Sequence, residues 1–271
     1  MNKKFSKLRI NPKKNSFIYN LKIFSKNWFS TLFRINNPIK IFLLYGKFIN
    51  DFSNYNRMSI NNKLSIINTR PELFDNVTST TFDFHYVFQS YWAFQKIISI
   101  KPKILVDIGS QVQHNALISL IVRIICVDIR PLAEDFINMK QISSDILHLP
   151  FPNNSIEALS CLHVVEHIGL GRYGDKLNPN GTQDSCKELA RILMPGGDLF
   201  LSLPVGKPRV CFNSHRINDP ILIRDFFQSL KLKLKEFSII TDNGSFFPNQ
   251  NPENYFDQNY ACGCYHFIKD F

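Results

Sequence analysis

The chain has 271 residues, of which 44% are hydrophobic, and that content excludes a globally disordered protein. Its net charge of +10 arises in residues 1–50, which hold 11 lysines and arginines and no acidic residue, whereas the remaining residues are nearly neutral. No apolar run approaches the roughly 20 residues of a membrane span. Lysines also interrupt the N-terminal apolar residues, which argues against a cleaved signal peptide.

Residues 1–75 are predicted to form a basic, aromatic N-terminal extension with one or two short helices. Aromatic side chains alternate with lysines there: Phe17, Tyr19, Phe24, Trp28, Phe29 and Phe33. This combination suits an anionic surface, so we expect a cytoplasmic protein with peripheral contact to the inner membrane surface or a glycolipid through residues 1–50. Nucleic acid is a less favoured partner. The alternative is compositional drift, because Lys, Asn, Ile and Phe are common throughout the chain.

Residues 76–271 are predicted to form one domain in which buried strands alternate with helices. A helix is predicted at 85–100, ended by Lys101 and Pro102. Strands are predicted within 103–110, 123–131, 142–152, 155–165 and 198–205, and helices at 115–121 and 184–193, the latter stopping at Pro195-Gly196-Gly197. A helix at 221–230 and strands at 234–242 and 261–269 follow. The pattern indicates a Rossmann-like three-layer α/β sandwich, with a mostly parallel sheet, helices on both faces and an antiparallel C-terminal strand.

Carboxylates follow the predicted strands at the edge where open parallel sheets bind ligands. Asp128 comes 21 residues after Asp107, the spacing of a carboxylate that accepts both hydroxyls of an adenosine ribose. Gln111 stands where a second glycine of a nicotinamide-binding loop would be, and no phosphate-binding loop motif is present. A nucleoside cofactor without phosphates, such as S-adenosylmethionine, therefore fits best.

Four stretches resemble the class I S-adenosylmethionine-dependent methyltransferases: VDIGS (106–110), CVDIR (126–130), SDILHLPFPNNSIEALSCLHVVEHI (144–168) and ELARILMPGGDLFLSLP (188–204). Four others resemble the domain-of-unknown-function family 268: FDFHYVFQSYWA (82–93), HVVEHIGLGRYGD (163–175), LPVGKPRVCFNSHRI (203–217) and NYACGCYHF (259–267). The second resemblance covers about residues 80–271 and implies a fold more than a reaction.

The methyltransferase resemblance implies a role for each matching residue. Asp107, Gly109 and Ser110 would shape the turn at the methionine end, and Asp128 would bind the ribose with Ile129 against the adenine. Asp145 would bind the adenine amino group beside Ile146, and His163 would lie near the sulfonium. Gln111 and Gln113 replace two loop glycines of the usual pattern and put cofactor binding in doubt. The alternative is a catalytically inactive Rossmann-like binding or scaffold protein.

Candidate catalytic residues follow the fourth and fifth predicted strands, and a glycine-containing loop follows the first group. The candidate bases are His163, Glu166, His167 and His215, and the candidate substrate-loop residues are Arg172, Tyr173 and Asp175. Each has a structural alternative: a hydrogen-bonded histidine, a local partner for Glu166, or an Arg172–Asp175 ion pair that holds the loop.

His163-Val164-Val165-Glu166-His167 matches the H-x-x-E-H motif of zinc peptidases, which requires a helix through both histidines. The preceding residues predict a strand and Gly169 follows, so at most about one helical turn is available. Some methyltransferases hold Mg²⁺ with E-x-x-E-H at this point, but a histidine in place of the first glutamate suits zinc or iron better. A metal-dependent hydrolase is therefore the least favoured function, and we assign no metal ligands here.

The cysteines contain no C-x-x-C pair, which favours reduced thiols in a cytoplasmic protein. Cys262-Gly263-Cys264 could bind a metal, but two sulfurs alone are weak evidence. The sequence thus predicts an S-adenosylmethionine-dependent methyltransferase that acts on a small molecule, a saccharide or a lipid-linked glycan.

Overall fold

The computed structural model describes residues 24–26, 28–29, 37–59, 63–134 and 136–271. It divides into two compact units, Met1–Thr81 and Phe82–Phe271. In the first unit, helix α1 (Pro38–Met58) starts at Asn37, whose side chain accepts a hydrogen bond from the Lys40 amide at 3.2 Å. At 21 residues, α1 is longer than the short helices expected there. Most of the basic, aromatic residues of 1–50 lie outside the described residues, so their membrane contact stays a prediction.

The second unit is built on one large sheet. Its eight strands are β1 (Ile104–Ile108), β2 (Arg123–Asp128), β3 (Met139–Ser143), β4 (Ile156–Leu162), β5 (Leu193–Val205), β8 (Leu232–Ile240), β9 (Phe246–Phe247) and β10 (Ala261–Lys269). A separate two-stranded hairpin pairs β6 (Arg209–Cys211) with β7 (His215–Ile217). The sheet order is β3-β2-β1-β4-β5-β10-β8-β9. β1 to β5 pair in parallel, and β10 lies antiparallel between β5 and β8.

Helices cover both faces of the sheet and produce two apolar cores. The helices are α2 (Phe84–Ile100), α3 (Val112–Ile118), α4 (Gly181–Ile192) and α5 (Pro220–Ser229). Trp92 and Ile97 of α2 pack with Ile118 of α3 against one face, and the apolar side chains of α4 and α5 pack against the other. The predicted three-layer α/β sandwich with an antiparallel C-terminal strand is therefore confirmed. None of the helices in the described ranges is long and apolar enough to cross a bilayer.

The Pro195-Gly196-Gly197 stretch was predicted as the turn that ends a helix, and this was wrong. The helix ends at Ile192, and Leu193 already pairs with Ile156 as the first residue of β5. The stretch forms an irregularity within the strand, where the register to β4 shifts between Ile156 and Ala158. A Cβ atom on Gly197 would lie 2.9 Å from the Glu157 carbonyl oxygen, so β4 and β5 approach too closely there for a side chain.

A polar cluster around Glu236 links α2 to β8. Glu236 Oε1 accepts hydrogen bonds from Trp92 Nε1 at 3.3 Å and Ser238 Oγ at 3.1 Å, and Oε2 pairs with the Lys96 ammonium. Burial disfavours the carboxylate, but these donors outweigh that effect and lower the pKa of Glu236. The side chain of Glu236 is only 14% exposed, which shields the pair from solvent screening.

We expect Glu236→Ala to lower the free energy of unfolding by about 1–3 kcal/mol, because the substitution leaves partly buried donors on α2 without an acceptor. Urea unfolding followed by circular dichroism measures the change. Glu157→Ala, at an exposed glutamate of β4, is the matched control and should stay within about 0.5 kcal/mol of the wild type. Equal effects of the two substitutions would contradict the assigned role of Glu236.

Candidate functional site

A buried carboxylate fixes the turn that follows β1. Asp107 is 0% exposed, and its Oδ1 accepts hydrogen bonds from Asn115 Nδ2 at 2.7 Å and the Ser110 amide at 3.1 Å. Its Oδ2 accepts a third from Ser160 Oγ at 2.6 Å. Asp107 therefore joins β1 to α3 and β4, and it has no surface left for a ligand.

Gly109 and Ser110 bring this turn against the end of β4. Ser110 Oγ accepts a hydrogen bond from the Leu162 amide at 3.1 Å. Gly109 has φ of +66°, and a Cβ atom there would lie 3.2 Å from Val164 Cγ1. Both the backbone conformation and the close approach favour glycine. The turns after β1 and β4 thus meet where the strand order reverses, the usual ligand crevice of an open parallel sheet.

A cavity of about 820 Å³ opens at this crevice. Its walls include most of the residues predicted to bind a cofactor: Gly109, Asp128, Ile129, Asp145, Ile146 and His163. Asp107 and Ser110 lie outside the walls and hold the turn from behind.

The two cavity carboxylates each keep one oxygen available. Asp128 Oδ1 accepts a hydrogen bond from the Arg130 amide at 2.7 Å, and Asp145 Oδ1 accepts one from the Leu147 amide at 2.9 Å. In each case Oδ2 has no hydrogen-bond partner among the described residues.

Gln111 and Gln113, which replace two loop glycines, are both exposed and lie outside the cavity walls. Gln111 precedes the first residue of α3, and Gln113 lies within that helix. Their larger side chains therefore leave the cavity volume intact.

Residues 169–178 form a loop over the cavity, tied at both ends. Asp175 Oδ2 accepts hydrogen bonds from the Gly169 amide at 2.7 Å and the Gly171 amide at 3.3 Å. The buried Arg216 guanidinium donates to the Ile168 carbonyl at 2.6 Å and to the Asn178 carbonyl at 2.9 Å. Asp175 is engaged with the backbone, and no Arg172–Asp175 ion pair forms in this described part of the chain.

Tyr173 connects the loop to the end of β2. The Arg130 guanidinium carbon lies 4.3 Å from the centre of its ring, and that of Arg172 lies 5.1 Å away. Tyr173 and Asp175 line the cavity of about 820 Å³, whereas Arg172 lines a second cavity, of about 630 Å³.

Only the last three residues of the H-x-x-E-H stretch, Val165–His167, are helical, and they form a single 3₁₀ turn. The longer helix that gives this motif its zinc-binding geometry is therefore missing, as the sequence predicted. Glu166 is 0% exposed, and its Oε1 lies 2.7 Å from His163 Nδ1 and 3.7 Å from His167 Nε2. Its expected role as a base in contact with substrate does not fit this burial, and the carboxylate instead orients the two histidines.

His163 and His167 form the partition between the first cavity and a second one of about 630 Å³. The second cavity is also lined by His85, Tyr86, Arg172, His215 and Tyr260. Three of the four candidate catalytic residues, His163, His167 and His215, therefore face one chamber. Sequence patterns assign no role to His85, Tyr86 and Tyr260, because these residues lie at the start of α2 and just before β10, far from the other residues in sequence.

Burial and neighbouring charges set the protonation of this chamber. Burial, with a contribution from His163, lowers the pKa of His85 to about 4. Burial also lowers the pKa of His215, and His167 adds to the shift. Burial opposes the charged forms of both His163 and Glu166, but Cys262 and then Glu166 raise the pKa of His163, and His163 lowers the pKa of Glu166.

The loop over the cavity gives a matched pair of glycine substitutions. Gly169 and Gly174 both have positive φ, so alanine costs about 1–2 kcal/mol at either position. At Gly169, a Cβ atom would lie 2.2 Å from the Asn178 carbonyl oxygen, whereas Gly174 has no atom within 4 Å. We expect Gly169→Ala to lose about 1–3 kcal/mol more stability than Gly174→Ala in thermal or urea unfolding. If Gly169→Ala and Gly174→Ala differ by less than about 1 kcal/mol in stability, the close packing of Gly169 against Asn178 would be contradicted.

Comparison with solved structures shows the class I methyltransferase fold. The Burkholderia thailandensis 1,6-didemethyltoxoflavin-N1-methyltransferase, solved with bound 1,6-didemethyltoxoflavin and S-adenosylhomocysteine, is 9% identical to this chain. The comparison covers 88% of this chain and 92% of that chain, with a TM-score of 0.51. The N-methyltransferase NodS from Bradyrhizobium japonicum is 12% identical over 73% and 91% of the two chains, with a TM-score of 0.49. No protein with a curated functional description matches the sequence.

Within that fold, residues 110–241 match the family model described as "Caenorhabditis protein of unknown function, DUF268". The predicted resemblance to both groups is thereby confirmed.

Proposed function

We propose that the protein is an S-adenosylmethionine-dependent methyltransferase. The observation that carries the proposal is the pair of carboxylates, Asp128 and Asp145, each with a free Oδ2 in a cavity at the ligand-binding edge of a class I methyltransferase sheet. A cavity of about 820 Å³ is within the usual range for a small-molecule site.

The cavity walls offer each part of the cofactor a suitable partner. Asp128 would accept the ribose hydroxyls, and Asp145 would accept the adenine amino group. Ile129 and Ile146 supply apolar surface for the adenine ring. The sulfonium would then lie near His163 and Val164 at the end of β4.

The second cavity is the proposed acceptor site. Methyl transfer requires the acceptor to approach the sulfonium methyl in line, so the two ligands must meet at a shared boundary. His163 and His167 line both cavities and mark that boundary. Aromatic rings and polar groups together suit a hydroxyl- or amine-bearing small molecule or saccharide. A lipid-linked glycan would further require the basic N-terminal residues to contact a membrane.

His215 is the proposed general base for such an acceptor. Its Nδ1 lies 2.8 Å from Ser214 Oγ, and its ring packs against Tyr260 with centroids 4.9 Å apart. Its lowered pKa keeps the imidazole neutral at pH 7 and able to take a proton. His167 is less suited, because its Nδ1 lies 2.6 Å from the Ser214 carbonyl oxygen and Glu166 approaches its other nitrogen.

We expect the His215 ring to titrate below the ordinary histidine pKa of 6.5, because burial and the neighbouring His167 disfavour its cation. Two-dimensional NMR of the histidine side chains across pH 4–8 measures the titration, and His215→Gln assigns the resonance by removing it. A midpoint at or above 6.5 would contradict the effect of burial on His215, and a midpoint above 7 would rule out His215 as the neutral base proposed here.

Isothermal calorimetry with S-adenosylhomocysteine tests the cofactor site. We expect the wild type to bind and Asp128→Asn to lose at least about tenfold in affinity, since hydrogen bonds to a charged group contribute about 1.5–3 kcal/mol. Asparagine can still accept the hydrogen bond from the Arg130 amide, so the turn is preserved. Glu157→Ala, near the amino end of β4 and outside the cavity walls, should bind S-adenosylhomocysteine as the wild type does.

Absence of heat at millimolar ligand would overturn the proposal and favour the alternative, a Rossmann-like binding or scaffold protein without cofactor. The sequence-level support for that alternative was the pair Gln111 and Gln113. Both side chains lie outside the cavity, so the structure does not strengthen it.

A further inference from the structure

Three potential metal ligands from separate parts of the second unit meet beside the second cavity. They are His85 in the first turn of α2, His163 after β4 and Cys262 in β10. Their candidate ligand atoms all lie within 4.8 Å of one another. His163 and Cys262 are buried and His85 is partly exposed, so the cluster can be reached from the cavity side.

His163 carries a second, independent sign of a ligand. Its Nδ1 lies 2.7 Å from Glu166 Oε1, which leaves Nε2 as the available ring nitrogen. The residue is only 8% exposed, and Nε2 has no hydrogen-bond partner. A buried polar nitrogen without a partner is unfavourable unless something satisfies it, which can be an ion.

We propose that His85, His163 and Cys262 bind a thiophilic divalent metal ion, with zinc as the preferred ion and a fourth position open to the second cavity. One thiolate and two imidazoles match the ligands that zinc prefers, whereas Mg²⁺ and Ca²⁺ require oxygen ligands. Three protein ligands with an open position are typical of catalytic rather than structural zinc sites.

Metal binding must draw the cluster together. Zn–N bonds of about 2.0 Å and a Zn–S bond of about 2.3 Å in tetrahedral geometry place ligand atoms roughly 3.3–3.6 Å apart. His85 can supply the movement, because it is partly exposed and its ring stacks on His163 with centroids 5.4 Å apart. Binding releases the Cys262 thiol proton and the proton on His163 Nε2 to solvent, and it leaves the thiolate and the Nε2 lone pair on the metal.

Glu166 completes the arrangement from behind His163. A carboxylate that binds the distal nitrogen of a metal-bound histidine fixes the ring orientation and raises the basicity of the ligand. This site differs from the H-x-x-E-H zinc site, since His167 Nδ1 contacts the Ser214 carbonyl and His167 does not belong to the cluster.

The open position would polarise an oxygen ligand, such as water or an acceptor hydroxyl, and lower its pKa. The acceptor part of this statement rests on the proposed methyltransferase function, whereas metal binding itself does not.

Cobalt titration of the full chain tests the site without any methyl donor. The protein is purified without a metal-affinity tag, treated with chelator and titrated with Co²⁺. We expect one Co²⁺ per chain, with thiolate-to-cobalt charge-transfer absorption and tetrahedral d–d bands, and stoichiometric displacement by Zn²⁺. Cys262→Ser should remove the charge-transfer band, and His85→Gln should weaken binding by at least about tenfold.

Two matched controls separate ligation from general damage. Cys186→Ser alters a buried thiol in α4, and His148→Gln alters an exposed histidine that lies outside the second cavity. Both variants should bind Co²⁺ as the wild type does. If circular dichroism shows that Cys262→Ser is unfolded, the Co²⁺ affinity of His85→Gln tests the proposal instead. Absence of the charge-transfer band in the wild type, or equal binding by His85→Gln and His148→Gln, would overturn the proposal.

Discussion

The contact between His163 and Glu166 is the interaction on which the two-chamber arrangement depends. The carboxylate is fully buried, and it can remain there because His163 Nδ1 lies 2.7 Å away. The contact fixes the imidazole in the partition between the two cavities, with its Nε2 directed away from Glu166. The cofactor proposal and the metal proposal both use this one ring, and each depends on its fixed orientation.

A second constraint shapes the crevice in which that ring lies. Asp107 uses both carboxylate oxygens within the protein and ties the β1 turn to α3 and β4. Because these contacts satisfy the buried charge, the turn holds its shape with a single glycine, Gly109. This explains how Gln111 and Gln113 can replace the usual glycines: the backbone is held by Asp107, and both glutamines point outside the cavity walls.

Sequence periodicity and the residues that end each strand were enough to predict the fold and to bring two carboxylates to one cavity. Asp128 ends β2 and Asp145 follows β3. Parallel strands bring their carboxyl ends to one edge of the sheet, so strand order alone predicted that both carboxylates lie at one cavity. The Pro195-Gly196-Gly197 stretch was misread because a strand irregularity and a turn use the same residues. The sequence predicts Glu166 as a candidate base, and its burial is visible only in the tertiary structure, because burial of a single polar side chain leaves no local pattern.

The sequence by itself determined the class of the fold, the cavity carboxylates and the absence of a zinc-peptidase helix, because each of these depends on local periodicity and strand order. The tertiary structure alone decided which residues form the second chamber and the metal-ligand cluster. His85, His163 and Cys262 come from a helix start, a strand end and a late antiparallel strand. Because β10 inserts between β5 and β8, Cys262 reaches the same edge of the sheet as His85 and His163. The spacing of these residues along the chain does not predict that they lie close together.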